Sequence, residues 1–185
     1  MIDNLLESST SMAKYICDNY VNENSIVIDA TCGNGNDTLY FAKKCKRVYG
    51  FDIQSEALVN TSKLLDKEGV DNVTLICDSF VNMAEYIKEE SDLIIFNLGY
   101  LPGGDKNVTT KSDETLKALD CSLNLLKCGG VLCVVVYWGH PEGKKEKEAV
   151  MQFCSNLDNH KFHSVLISKT NQENCPPQIV LIHKK

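Results

Sequence analysis

From residue 25 onward the chain alternates short apolar runs with amphipathic stretches. Residues 25–30, 47–51, 73–77, 93–96 and 131–137 are rich in Val, Ile or aromatics and bounded by Gly, Asn, Asp or Lys. Continuous apolar runs of this length fit strands buried on both faces, as in a parallel sheet. Helical spacing marks residues 37–45, 55–68, 81–89, 112–126 and 144–157. Ser55 stands as an N-cap, Gly69 closes that helix, and Gly129-Gly130 is expected to stop the fourth. Strands alternating with helices predict an α/β fold with right-handed βαβ units and helices on both faces. The pattern breaks after residue 160. Residues 162–169 and 178–183 are strand-like, and the segment 170–177 leaves no room for a helix, so an antiparallel hairpin is expected. Residues 2–21 form an extra helix whose apolar positions (Leu5, Leu6, Met12, Ile16) could close the sheet or a homodimer interface. No linker or repeat interrupts the chain, so one domain over residues 1–185 is expected.

Composition narrows the class. The 185 residues are 43% hydrophobic and 24% charged, an ordinary globular balance. The formal net charge of −6 gives no global footprint for a polyanion, so a nucleic-acid partner would be gripped at a small feature. Two basic clusters, Lys43, Lys44, Lys46 and Arg47, then Lys144, Lys145 and Lys147, fit solvated helix faces. The nine cysteines are odd in number and none lies within four residues of another, so no zinc knuckle or redox dithiol is encoded and no metal is expected. Reduced thiols imply a cytoplasmic protein. The first residues lack the basic start of a signal peptide, and no apolar stretch is long enough for a bilayer, so no membrane partner is expected.

The chemistry is carried by the ends of the strands. The first βα turn reads Asp29-Ala30-Thr31-Cys32-Gly33-Asn34-Gly35-Asn36-Asp37-Thr38. Gly33 and Gly35 allow a sharp turn and the close approach of a ligand. The dinucleotide fingerprint wants a third Gly where this chain has Thr38. An acid, Asp29, stands four residues before the first Gly instead. A carboxylate there repels a pyrophosphate but can receive an ammonium, directly or through water, which favours S-adenosylmethionine. The second run ends in Asp52-Ile53-Gln54. Asp52 follows Gly33 at the distance where an acid bonds ribose hydroxyls. The third ends in Asp78-Ser79-Phe80, with Asp78 placed for an adenine amine. These loop and strand-end residues form the expected cofactor site, shared in part by Asn97.

The fourth run ends in Asn97-Leu98-Gly99-Tyr100-Leu101-Pro102-Gly103-Gly104-Asp105, across the crevice from the cofactor loop. Its polar groups can orient an acceptor nitrogen, as in amino-methyltransferases with a related Asn-Pro-Pro-Tyr loop. Asn97, Tyr100 and Asp105 are the catalytic candidates. Leu98, Gly99, Tyr100, Thr109 and Thr110, with Trp138 and His140 from the fifth run, are the acceptor-lining candidates, His140 as a lining group rather than a base. Tyr100 or Trp138 could stack on a splayed-out base.

These motifs, together with Tyr137-Trp138-Gly139-His140 and the loop Asn171-Gln172-Glu173-Asn174-Cys175-Pro176-Pro177, resemble small bacterial methyltransferases described as rRNA methylases, the MnmM or YtqB-like group. The resemblance covers nearly all of the chain after residue 10. It implies a Rossmann-like class I methyltransferase fold with strand order 3-2-1-4-5-7-6, the seventh antiparallel. It also implies N-methylation of 5-aminomethyl-(2-thio)uridine at the tRNA wobble position, with the tRNA anticodon region as partner. Two alternatives stay open: a methyltransferase acting on rRNA or a small molecule, and an NAD-dependent oxidoreductase. The missing third Gly and the terminal hairpin speak against the latter.

Methyl transfer needs positioning more than a catalyst, because the sulfonium methyl is already activated. An alkylamine is mostly protonated at neutral pH, so the site must bind or generate the free amine. Asp105, Tyr100 and the Asn97–Leu98 carbonyls are the candidates for holding it.

Overall fold

The computed structural model describes residues 5–99 and 109–185. Strands β1 (Ile26–Asp29), β2 (Arg47–Phe51), β3 (Val73–Ile76), β4 (Ser91–Leu98) and β5 (Leu126–Val136) pair in parallel. β6 (Phe162–Ile167) and β7 (Gln178–Lys184) form an antiparallel hairpin, and β7 pairs antiparallel with β5. The sheet order is β3-β2-β1-β4-β5-β7-β6. Both the alternating architecture and the terminal hairpin match the sequence reading. The order reverses between β1 and β4, the point at which open α/β sheets leave a crevice beyond the strands' carboxyl ends.

Successive side chains of a pleated strand point to opposite faces. Ile28, Ile94, Phe96, Leu132 and Val134 pack on one face with residues of α4 (Met83–Tyr86), α5 (Ser112–Leu125) and α6 (Pro141–Ser155). Val27, Val48, Ile95, Cys133 and Val135 pack on the other with Ala13 and Cys17 of α1 (Ser9–Cys17) and Phe41 of α2 (Asn36–Ala42). Both faces are dry, so the strand sequences show no polar alternation. This face of α1 closes the sheet. The nine cysteines are all free thiols, and five of them are buried as small apolar side chains.

Several boundaries differ from expectation. The first helix is shorter than residues 2–21 and ends in a 3₁₀ turn, Asp18–Tyr20. α3 (Ser55–Glu68) is capped at Gln54, so Ser55 is its first helical residue rather than its cap, while Gly69 closes it with φ +67° as expected. The segment 81–89 holds only the 3₁₀ turn Phe80–Asn82 and the one-turn α4, because Asp78 accepts from the Asn82 and Tyr86 side chains and ties the chain back on itself. α6 starts at Pro141 with His140 as its cap, a position where proline costs no hydrogen bond.

The clearest correction concerns Gly129-Gly130. α5 ends at Leu125, and β5 begins at Leu126, before the glycines. Leu126 is fully buried opposite Ser91, and burial wins over the helix signal. The glycines absorb a register shift between Ser91 and Leu93. Gly129 takes φ +82°, and a Cβ on Gly130 would lie 3.0 Å from the Asp92 carbonyl oxygen.

A candidate cofactor and acceptor cleft

A cleft of about 1080 Å³ opens at the carboxyl ends of β1–β4. The β1–α2 turn forms its floor and is held from several sides. Gly33 and Gly35 take φ +51° and +78°. Cys32 N–H donates to the Phe51 carbonyl (2.8 Å), and the Thr61 hydroxyl donates to the Gly33 carbonyl (2.8 Å). Asp52 accepts the N–H of Gly33 (2.9 Å) on one carboxylate oxygen and the N–H of Gln54 (2.8 Å) on the other. A Cβ on Gly35 would sit 2.6 Å from Thr61 Cγ2, so only glycine fits the turn against α3. Thr31, Gly33, Asn34, Asn36, Asp37, Asp52, Ile53 and Gln54 line the cleft, whereas Gly35 lies behind it.

Asp29 does not face the cleft. It is 1% exposed, accepting from the Thr38 hydroxyl (2.6 Å) and the Thr31 N–H (3.3 Å). Burial pushes its carboxyl up to about 7. The nearby Asp37 carboxylate adds to this, and the two hydrogen bonds oppose it. Direct contact with a ligand ammonium, expected from its position at the strand tip, is therefore replaced by a hold on the turn. Thr38 is equally buried and belongs to the same hold.

Asp78, Ser79 and Phe80 line the far end of the cleft. Asp78 accepts from Tyr86 Oη (2.8 Å), the Ser79 N–H (2.7 Å) and Asn82 Nδ2 (3.0 Å), and these bonds hold its carboxyl below the usual range.

Asn97 stands at the tip of β4. Its N–H donates to Thr31 Oγ1 (2.7 Å) and its Nδ2 to Asp37 Oδ2 (2.9 Å), while its Oδ1 is buried without a partner among the described residues. Lys14 Nζ lies 2.7 Å from Asp37 Oδ1. Leu98 is fully buried off the cleft, and its carbonyl accepts the Tyr137 N–H (3.1 Å), so neither its side chain nor that carbonyl is offered to an acceptor. Tyr100 and Asp105 lie outside the described residues.

Gly99, Thr109, Thr110, Trp138 and His140 line the opposite wall. Thr110 N–H donates to the Gly99 carbonyl (3.2 Å), and its hydroxyl donates to the buried Glu146 (2.8 Å), whose other oxygen takes the Thr115 hydroxyl (2.6 Å). Burial raises the Glu146 carboxyl despite these bonds. Trp138 Nε1 donates to the Pro176 carbonyl (2.8 Å), and Lys147 Nζ lies 3.6 Å from its ring centroid. His140 Nδ1 accepts the Gly143 N–H (3.1 Å), which makes it the cap of α6 as well as a wall residue. Sequence reading missed Lys14 and Glu146. Nothing in the spacing of α1 or α6 singles them out, since each acts on a partner distant in sequence.

The family model described as "Putative rRNA methylase" matches residues 48–183. The chain belongs to this family. The chloroplastic tRNA (mnm(5)s(2)U34)-methyltransferase of Arabidopsis thaliana is 40% identical over an alignment of 166 residues that covers 82% of this chain; the chain spans 60% of that relative's length. The Streptococcus mutans protein SMU.1697c, solved in complex with SAH, superposes with a TM-score of 0.90 at 39% identity over 100% of both chains. An rRNA methylase from Streptococcus thermophilus gives 0.83 at 36% identity, covering 95% of each chain. The family member described here is accordingly a methyltransferase of the Rossmann-like class I fold, the class that uses S-adenosylmethionine. Among the described residues, no helix is long and apolar enough to cross a membrane.

Proposed function

We propose that the chain transfers a methyl group from S-adenosylmethionine to the amine of 5-aminomethyl-(2-thio)uridine at the tRNA wobble position, giving 5-methylaminomethyl-(2-thio)uridine. The observation that carries this is the buried Asn97 Oδ1, an acceptor with no partner among the described residues, on a residue that lines a cleft floored by the glycine turn. The wobble-uridine activity named for the Arabidopsis relative supports the acceptor, and the SAH bound to the Streptococcus mutans protein supports the cofactor.

The cleft fits such a cofactor. Each oxygen of Asp52 already takes one backbone N–H, and a carboxylate has about four acceptor sites, so two ribose hydroxyls can still be received. Asp78, Ser79 and Phe80 offer an acceptor and an apolar face to adenine, and the turn at Gly33-Asn34 receives the amino-acid end. Asp29 acts by holding Thr31 and Thr38 in place.

When bound, the cofactor supplies an already activated methyl group. The protein's part is alignment: holding the two reacting atoms at about 3–3.5 Å supplies several kcal/mol of the barrier reduction. Asn97 Oδ1 accepts an N–H of the incoming amine and turns the lone pair toward the cofactor side. An uncharged acceptor holds the ammonium form less strongly than a carboxylate would, and the proton that the amine must lose leaves to solvent. Trp138 provides a stacking face for the splayed-out base. Gripping one nucleotide agrees with the net charge of −6, which gives no global footprint for a polyanion.

The test is nucleoside mass spectrometry of tRNA carrying 5-aminomethyl-2-thiouridine, incubated with the purified protein and S-adenosylmethionine. Gain of one methyl on that nucleoside is expected. Unchanged tRNA, with methylation of rRNA fragments instead, overturns the acceptor.

A further inference from the structure

Asn97 can offer an acceptor to the cleft in only one of its two amide orientations. A carboxylate only accepts, so the end of the amide 2.9 Å from Asp37 Oδ2 must be the NH₂. The carbonyl Oδ1 then points away from Asp37, buried and without a protein partner among the described residues. Asp37 is itself held: Lys14 Nζ of α1 lies 2.7 Å from its other oxygen, and its side chain is 12% exposed. The Asn97 backbone is pinned independently by Thr31 Oγ1 at 2.7 Å, so the amide is the one part of the residue left to be oriented. Turning the amide over would set its carbonyl against the Asp37 carboxylate and forfeit a charge-assisted hydrogen bond.

We propose that Lys14 and Asp37 are positioning residues that fix the Asn97 carbonyl toward the methyl acceptor, which makes the N-terminal helix part of the transfer apparatus. Lys14 pairs with one oxygen of Asp37, the other oxygen of Asp37 selects the amide orientation, and Asn97 presents its carbonyl. The link to methyl transfer rests on the acceptor reading above; the orientation itself does not. It also gives Asp37 a task other than contacting the cofactor.

Two measurements test the device separately from that reading. The first uses the ligand-free protein. The Asn97 side-chain NH₂ is assigned in a ¹H–¹⁵N spectrum by its loss in Asn97→Ser. Displacement of that pair of signals in Asp37→Asn, with a smaller displacement in Lys14→Met, supports the device. Signals unmoved in Asp37→Asn overturn it, whatever the substrate proves to be.

The second is kinetic. Asp37→Asn offers the Asn97 amide both a donor and an acceptor, so both orientations are allowed. A 10- to 100-fold fall in kcat with KM for tRNA changed less than threefold is expected. Asn97→Asp alone brings two carboxylates together and should be worse, whereas the double variant Asn97→Asp with Asp37→Asn restores a donor facing an acceptor and should recover at least tenfold. A loss confined to KM, or a double variant no better than Asn97→Asp, overturns the device. A wild-type protein inert on the tRNA, with the NMR displacement present, overturns the acceptor reading and leaves the orientation supported.

Discussion

Asp52 accepts the backbone N–H of Gly33 at 2.9 Å, so the acid that ends β2 also fixes the turn that follows β1. One carboxylate thereby shapes the floor of the cleft and faces into it. In Asp52→Ala both are lost. Hydrogen bonds to charged groups contribute about 1.5–3 kcal/mol, so affinity for S-adenosylmethionine should fall roughly 10- to 100-fold. Titration calorimetry checks this, and wild-type affinity in the variant would remove Asp52 from the site.

Gly35→Ala should destabilise the fold. The residue sits at φ +78°, and the added Cβ would press on Thr61 at 2.6 Å. Overpacking and a left-handed non-glycine together should cost about 2–4 kcal/mol. Thermal unfolding measures this, and adding Thr61→Ala should recover part of the loss, because it removes the clash but not the backbone strain.

Asp29 gives stability a pH dependence of unusual sign for a carboxylate. Burial raises its folded value to about 7, so the folded chain keeps a proton that the unfolded chain releases near 4. The group's contribution is fully present below about 4 and is lost as pH rises toward 7, at up to about 1.4 kcal/mol per unit in that window. Urea unfolding between pH 4.5 and 7.5 should show this slope in the wild type and a flatter one in Asp29→Asn. Equal slopes would place the Asp29 proton elsewhere.

Trp138 is the only tryptophan and lines the cleft between Lys147 and Pro176. Its fluorescence should respond to an anticodon stem-loop carrying the wobble nucleotide. Stacking on an aromatic side chain is worth about 1–3 kcal/mol per base, so Trp138→Ala should weaken that binding roughly 5- to 100-fold. Affinity for S-adenosylmethionine should stay within about twofold; a matched loss of both affinities would mark Trp138 as structural.

The parts of this fold legible in the sequence were those with one physical cause. The strands from β1 to β5 are buried on both faces, which writes them as unbroken apolar runs. The terminal hairpin followed from the missing room for a helix. Gly129-Gly130 was ambiguous because a helix stop and a strand irregularity use the same residue, and only the burial of Leu126 decides between them. The cleft was legible as a set of strand tips but not in its orientations. Asp29 was visible as an acid at the right place, yet its partner Thr38 registered only as the absence of a third glycine. Lys14 left no trace, since the 2.7 Å pair with Asp37 exists only once α1 lies across the sheet.

That crossing is stapled by the other end of the chain. Ser9 Oγ donates to the Pro177 carbonyl (2.7 Å), and Lys169 Nζ reaches the Glu7 carbonyl (2.5 Å). The segment that carries these carbonyl and ammonium partners is placed by β6 and β7. The seat of Lys14 therefore draws on the terminal hairpin, through bonds that join residues 162 and 168 positions apart, as well as on the sheet that α1 crosses.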